Sequence, residues 1–287
     1  MSMSTASLLV SSRDRTGIVA ALSDLIFRQN GNIIDADQHS EKANGMFFMR
    51  LVWDLEHYAL DAAGTENALR RLAANFDNQM RWRLWYAPPP ARLAVLCSKT
   101  PHCLYDLLLR EQMGELEGEI ALIVSNHQSL RVAAAHFNKP FFYVPVTAAT
   151  RAAAEAEQLR LLREWRIDTV VLARYMQILS PRFIEEFPAE IINIHHSFLP
   201  AFVGADPYRQ AKERGVKIIG ATAHYVTTEL DQGAIIEQDV TRVTHRDGVE
   251  DLTRKGRDLE RQVLSRALRA HLQHRVLVHQ NRTMVFS

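Results

Sequence analysis

Apolar and polar positions along this chain recur with two periods, near two residues and near 3.6, the marks of strands and helices. In the first 86 residues or so the two alternate in a definite order. Leu8 to Val10 is a short apolar strand, and Arg13 to Gly17 reads as a turn. Ile18, Leu22, Leu25 and Ile26 recur at helical spacing, with Gly31 expected to close that helix. Ile33 to Gln38 is strand-like. Phe47, Met49, Leu51 and Trp53 alternate with Phe48, Arg50 and Val52, which predicts a strand with one strongly apolar face. Glu66 to Phe76 reads as a helix through Leu69, Leu72, Ala73 and Phe76, and Trp82, Leu84 and Tyr86 end the region as a strand. The order β-α-β-β-α-β is the ferredoxin-like pattern.

Pro88, Pro89 and Pro90 then interrupt the pattern. Consecutive prolines neither continue a helix nor donate to a sheet, so they predict a stiff linker. The expected organisation is a first domain over 1–86, a linker over 87–91 and a second domain over 92–287. In the second domain Leu93–Cys97, Ile120–Ser125, Phe141–Val144, Thr169–Leu172 and Ile191–Ile194 are short apolar runs. Helical stretches such as Leu130–Phe137 and Ala152–Trp165 separate them. That alternation predicts an α/β, Rossmann-like domain with a mostly parallel sheet covered on both faces. Ile218–Val226 and Ala234–Val243 read as longer strands with a tight turn around Glu229 to Gly233. A helix from Val249 to Gln273 follows, with Leu252, Leu259, Val263 and Leu268 on one side and its arginines on a solvated face. Val276–Val278 and Met284–Phe286 are expected to close the chain as a hairpin.

Composition narrows the function classes. The chain of 287 residues is 47% hydrophobic with a formal net charge of +1, so no overall field favours nucleic acid or an anionic membrane. No run of 18 apolar residues is present, and Met1 to Ser7 lacks a signal-peptide pattern. Cys97 and Cys103 are too few for a disulfide framework and lack zinc-site spacing. The expectation is a cytoplasmic protein with reduced thiols and no metal.

Ligands of open parallel sheets bind at the carboxyl ends of the strands. After the fifth strand of the second domain come Asn193 and His195, two residues apart and so on one face of an extended segment. Asp231 sits in the later turn, Leu230-Asp231-Gln232-Gly233. A carboxylate beside a histidine orients the ring and favours its protonated form. Amide, imidazole and carboxylate together suit attack on a carbonyl-type carbon: donors stabilise the oxyanion while the charged pair handles protons. On spacing alone the same residues also read as a strand end that caps a turn and an Asp-Gln-Gly turn.

Three blocks resemble the formyltransferase family that uses 10-formyltetrahydrofolate: Asn193-Ile194-His195 with Ser197-Phe198-Leu199-Pro200, Gly220 to Val226, and Leu230 to Gly233. The resemblance implies that Asn193, His195 and Asp231 are the catalytic trio. Tyr175, Met176, Gln177, Ile178 and Leu179 resemble the family's folate loop, and by the same resemblance His196 and Ser197 lie against substrate. A glycinamide ribonucleotide transformylase needs a glycine-containing phosphate cradle after its first strand. Here Cys97 to Cys103 contains no glycine, and Pro101 has no N–H to offer. The chain also ends too soon for the further domain of a tRNA formyltransferase. The doubled His195-His196 resembles the deformylase branch of the family. Asp14 to Ala20, with Asn32-Ile33 and Asp35 to His39, looks like the ACT domain at its start.

That resemblance implies hydrolysis of 10-formyltetrahydrofolate to formate and tetrahydrofolate, with the formate supplying purine biosynthesis and one-carbon pools kept in balance. It also implies a homo-oligomer, no cofactor beyond the folate substrate, and an amino-acid effector near Asp14, Arg15, Thr16 and Gly17. An ACT module serving only subunit pairing is an equal reading. Ala234 and Thr16 stand where many relatives carry proline, and Thr147 to Ala154 is less family-like; none of these touches the trio. Two other readings stay open: a formyltransferase with another acceptor, and a folate or amino-acid sensor. The lack of a G-x-G-x-x-G or P-loop run weakens a nucleotide-binding enzyme.

Overall fold

The computed structural model describes residues 4–87, 89–200 and 207–287. Pro88, within the expected linker, lies outside the described residues. The chain divides into two units. One contains residues 1–90 with 273–277 and 284–287; the other contains 91–272 with 278–283.

In the first unit β1 (Thr5–Arg13), α1 (Ile18–Arg28), β2 (Asn32–Glu41), β3 (Met46–Asp54), α2 (Ala62–Ala74) and β4 (Arg81–Ala87) follow in the expected order. The strands form an antiparallel sheet ordered β2-β3-β1-β4. Ile18, Leu22 and Ile26 of α1 and Leu69 and Leu72 of α2 pack on Leu8, Val10, Met49 and Leu51 of the sheet. The helix α2 starts earlier than its apolar spacing shows, because the Asp61 carboxylate accepts from Gly64 N–H at 2.7 Å and caps it. Asn30, not Gly31, takes the left-handed conformation after α1, with φ of 58°.

The expectation of one apolar face on β3 is corrected. Phe48 and Arg50 are buried too. Phe48 and Leu9 pack with Leu277 and Phe286 from the end of the chain. The Arg50 guanidinium donates to the carbonyls of Gln273 at 3.0 Å and His274 at 3.1 Å, and pairs with Asp35. The first unit is therefore discontinuous in sequence, which a boundary at the prolines does not anticipate.

The second unit runs β5 (Ala91–Cys97), α3 (His102–Gln112), β6 (Gly118–Ser125), α4 (Arg131–His136), β7 (Phe141–Tyr143), α5 (Arg151–Glu164), β8 (Thr169–Ala173), α6 (Pro181–Glu186), β9 (Glu190–His195), α7 (Pro207–Glu213), β10 (Ile218–Tyr225), β11 (Ile235–Arg242) and α8 (Val249–Leu272). A hairpin of β12 (Val276–His279) and β13 (Arg282–Val285) ends the chain. The sheet order is β11-β10-β9-β8-β5-β6-β7. The strands from β7 to β9 are parallel, and β10 and β11 are antiparallel. The unit is an α/β, Rossmann-like domain. The chain leaves β5 toward β6 and β7, then returns to β8 on the other side. That reversal leaves a crevice at the carboxyl ends of β5 and β8. Among the described residues no helix is long and apolar enough to cross a membrane.

Candidate active site

A cavity of about 640 Å³ opens at those strand ends, lined by residues of the second unit. Asn193 and His195 reach it from the end of β9, and Asp231 from the turn between β10 and β11. Antiparallel pairing sets His224 of β10 opposite Asn193 and Thr222 opposite His195. The β10–β11 turn then folds back over the strand end. Tyr225 N–H donates to Ala234 at 3.0 Å. A Cβ on Gly233 would lie 1.7 Å from the Tyr225 carbonyl, so only glycine allows that approach. Asp231 itself takes φ of 56°.

The result is one carboxylate shared by two rings. His195 Nδ1 lies 3.3 Å from Asp231 Oδ2, and His224 Nε2 lies 3.5 Å from Oδ1. Their hydrogen bonds, His195 first and His224 second, hold the Asp231 carboxyl far below the usual carboxylate range although burial opposes it. His224 Nδ1 faces the Tyr225 carbonyl at 2.8 Å, an acceptor only, so Nδ1 carries the proton. In the neutral ring Nε2 then accepts from the Asn193 amide at 3.2 Å, and only the doubly protonated ring donates from Nε2 to Asp231. That contact orients Asn193 and leaves its second N–H for the cavity. By the same logic neutral His195 is protonated at Nδ1, toward Asp231. Its Nε2 is buried and without a protein partner among the described residues.

The loop after β8 forms one wall and is pinned along its backbone. Ser98 Oγ accepts from Met176 N–H at 3.0 Å, Arg151 donates to the Ile178 carbonyl at 3.0 Å, and Glu155 accepts from Ser180 N–H at 2.9 Å. Ser180 in turn caps α6 by accepting from Phe183 N–H at 3.1 Å, with Pro181 at the first position. Tyr175 and Leu179 are buried anchors, and Gln158 donates to the Tyr175 hydroxyl at 2.8 Å. Met176 and Ile178 are left 58% and 56% exposed, an apolar surface facing a cavity that they and Gln177 line.

At the polar end stands Glu260, fully buried on α8. Its carboxylate lies 2.9 Å from His102 Nε2, accepts from the Tyr208 hydroxyl at 2.7 Å and lies 3.4 Å from Arg174 Nε. Burial works against its ionisation, but His102 and Arg174 hold it below its ordinary range. Gly256 makes room for this, since a Cβ there would meet the Tyr208 hydroxyl at 2.0 Å. His196 lines the cavity between the two ends. Burial and the Arg174 charge bring its pKa down to about 4, so it is neutral near pH 7.

The structure thus brings together Asn193, His195, His196, Asp231 and the loop from Tyr175 to Leu179. Ser197 stands apart: it lines a separate, apolar cavity, and its carbonyl accepts from Thr222 at 2.9 Å. Asp14, Arg15, Thr16 and Gly17 are exposed in the β1–α1 loop, where Arg15 pairs with Asp77 at 3.0 Å and lies over the Phe76 ring. Sequence reasoning passed over His224 and Glu260. His224 needs the cross-strand register to be seen, but Glu260 left a trace, a charge inside the apolar stripe of α8. The helix's arginines lie on its solvated side as expected, Arg254 paired with Asp251 and the exposed Arg257 also bordering the cavity.

Residues 91–268 match the formyl transferase family. The chain is 53% identical to a formyltetrahydrofolate deformylase of Synechocystis sp. over 99% of both chains. It is 47% identical to one of Bacillus subtilis, covering 98% of this chain and 93% of that protein. A crystal structure of a formyltetrahydrofolate deformylase from Pseudomonas syringae pv. tomato superposes with a TM-score of 0.95 at 48% identity, covering 100% of this chain and 96% of that one.

Proposed function

The chain belongs to the formyltetrahydrofolate deformylase family and is a hydrolase. On that premise we propose that it cleaves 10-formyltetrahydrofolate to formate and tetrahydrofolate in the cavity at the ends of β8 and β9. The observation that carries the reading is the His195–Asp231 pair at 3.3 Å, with Asn193 on the same strand end and the unpartnered Nε2 of His195 beside it.

The pterin lies against Met176 and Ile178, bonded to the pinned backbone between them. The formyl oxygen meets the second N–H of Asn193. Water adds to the formyl carbon and gives its proton to Nε2 of neutral His195. The ionised Asp231 acts on that proton through the ring: a carboxylate held so far below its usual range is a poor base, but it stabilises the imidazolium. Asn193 and the new Nε2–H hold the oxyanion. The C–N10 bond then breaks, the imidazolium returns its proton to N10, and formic acid leaves and ionises. The folate brings its own one-carbon unit, and the steps invoke no metal or redox cofactor.

The stretch from Cys97 to Cys103 favours water over a phosphorylated amine as acceptor, since it holds no glycine and Pro101 offers a phosphate no N–H. Purified protein given 10-formyltetrahydrofolate and no amine is expected to release free formate in step with tetrahydrofolate. Release only on addition of an amine would favour transfer instead.

In the cell we place this activity in the cytoplasm, where formate supplies purine biosynthesis and one-carbon pools stay balanced. The βαββαβ order of the first unit supports an ACT-type module. We assign it subunit pairing in a homo-oligomer, with the Asp14–Gly17 loop facing an amino-acid effector.

A further inference from the structure

The turn that carries Asp231 is held from behind by the last hairpin of the chain. Asn281 Nδ2 donates to the Gln232 carbonyl at 2.8 Å, one residue from Asp231. Thr283 Oγ1 donates to the Ile235 carbonyl at 2.5 Å, where β11 begins. A second cavity, of about 410 Å³, lies between Asp231–Gly233, Ile235 and the hairpin residues Asn281, Arg282 and Thr283. The carboxylate turn is therefore backed by open space and tied across it by two side-chain hydrogen bonds. The hairpin is built to present them. Gln280 and Asn281 have φ of 48° and 59°, the pair of left-handed residues that a tight two-residue turn requires. Asparagine tolerates that backbone and keeps an amide N–H to give.

We infer that Asn281 and Thr283 are positioning residues of the hydrolase: they fix the β10–β11 turn so that the Asp231 carboxylate stays on His195. The turn needs such support. Asp231 sits in the left-handed region, and both of its oxygens must reach histidines on β9 and β10. Gly233 gives the close approach to Tyr225 but no side chain to lock it. A shift of about an ångström would open the 3.3 Å contact, and misplacement on that scale costs on the order of a hundredfold in rate. The inference rests on the reading of Asp231 as a member of the reacting site.

The test uses the full chain and separates donor loss from turn loss. Asn281→Gly keeps the left-handed turn and removes the amide; Thr283→Val keeps the shape and removes the hydroxyl. The double variant is expected to lose about ten- to a hundredfold in kcat, with KM for 10-formyltetrahydrofolate within about twofold. Thr283→Ser, which keeps the hydroxyl, should recover most of what Thr283→Val loses. In an Asp231→Asn background the hairpin substitutions should add little further loss, because the group they position is already disabled. A double variant with wild-type kcat overturns the inference, as does a loss that multiplies fully with that of Asp231→Asn. If Asp231→Asn alone turns over normally, the reading of Asp231 fails, a result distinct from either.

Discussion

At the scale of single residues, the cavity sets one carboxylate against two histidines. On the proposed mechanism Asn193→Ala removes an oxyanion donor, and kcat is expected to fall about a hundred- to a thousandfold with folate binding retained. Asp231→Asn keeps the size but loses the charge proposed to stabilise the imidazolium, and a comparable loss is expected. Rapid-mix kinetics with a folate-binding assay check both; normal turnover in either variant removes that role. His196 gives a separate, pH-dependent consequence. Its folded value of about 4 lies below its ordinary 6.5, so in between the unfolded chain holds a proton that the folded one does not. Stability is then fully present above 6.5 and is lost as pH falls toward about 4. Asp231, whose folded value is also depressed, loses its contribution lower still, below the ordinary carboxylate range. Denaturation midpoints measured between pH 7 and pH 4 should therefore fall less steeply in His196→Gln than in the parent; equal slopes would refute the assignment. Asn193, His195 and Asp231 were legible in the sequence as a strand end and a turn. His224 was not, because its position opposite Asn193 is a property of β9–β10 register, which no local pattern records.

At the scale of elements, the loop from Arg174 to Ser180 joins binding to stability. Its end is fixed by Ser180, whose hydroxyl caps α6 and also meets Glu155 at 2.5 Å. Ser180→Ala should cost about 1 kcal/mol of stability from the lost cap. It should also raise KM for the folate several-fold at nearly constant kcat, since the wall formed by Met176 and Ile178 loosens while the trio is untouched. A fall in kcat with KM unchanged would contradict the split between wall and trio. Strand order was readable throughout, because apolar period is a strong local property, whereas the helices α3, α6 and α7 were not named from it. Ends were less so. The αL position after α1 went to Asn30 although a glycine stood next to it. The start of α2 was set by Asp61, a polar cap that leaves no mark in apolar spacing.

At the scale of the whole molecule, the unexpected feature is a first unit completed by the last residues of the chain. Sequence could not show this. Leu277 and Phe286 look like ordinary hairpin residues, and Phe48, Arg50 and Val52 look like the lesser face of one strand. What unites them is a cluster of Leu9, Phe48, Leu277 and Phe286 spanning the full length of the sequence, together with two backbone carbonyls taken by Arg50. Residues 1–90 expressed alone would expose that face of the sheet. Covering a large apolar side chain contributes about 1.5–3 kcal/mol, comparable to a large part of a small domain's stability. The isolated fragment is expected to bind a hydrophobic dye and to unfold at low urea. Residues 273–287 joined to it by a flexible linker should restore a cooperative transition. In the full chain Phe286→Ala tests the same packing, with an expected loss of about 3 kcal/mol. If the bare fragment unfolds as cooperatively as the linked one, and Phe286→Ala costs nothing, the C-terminal residues are a passive tail and the sheet's second face needs no cover.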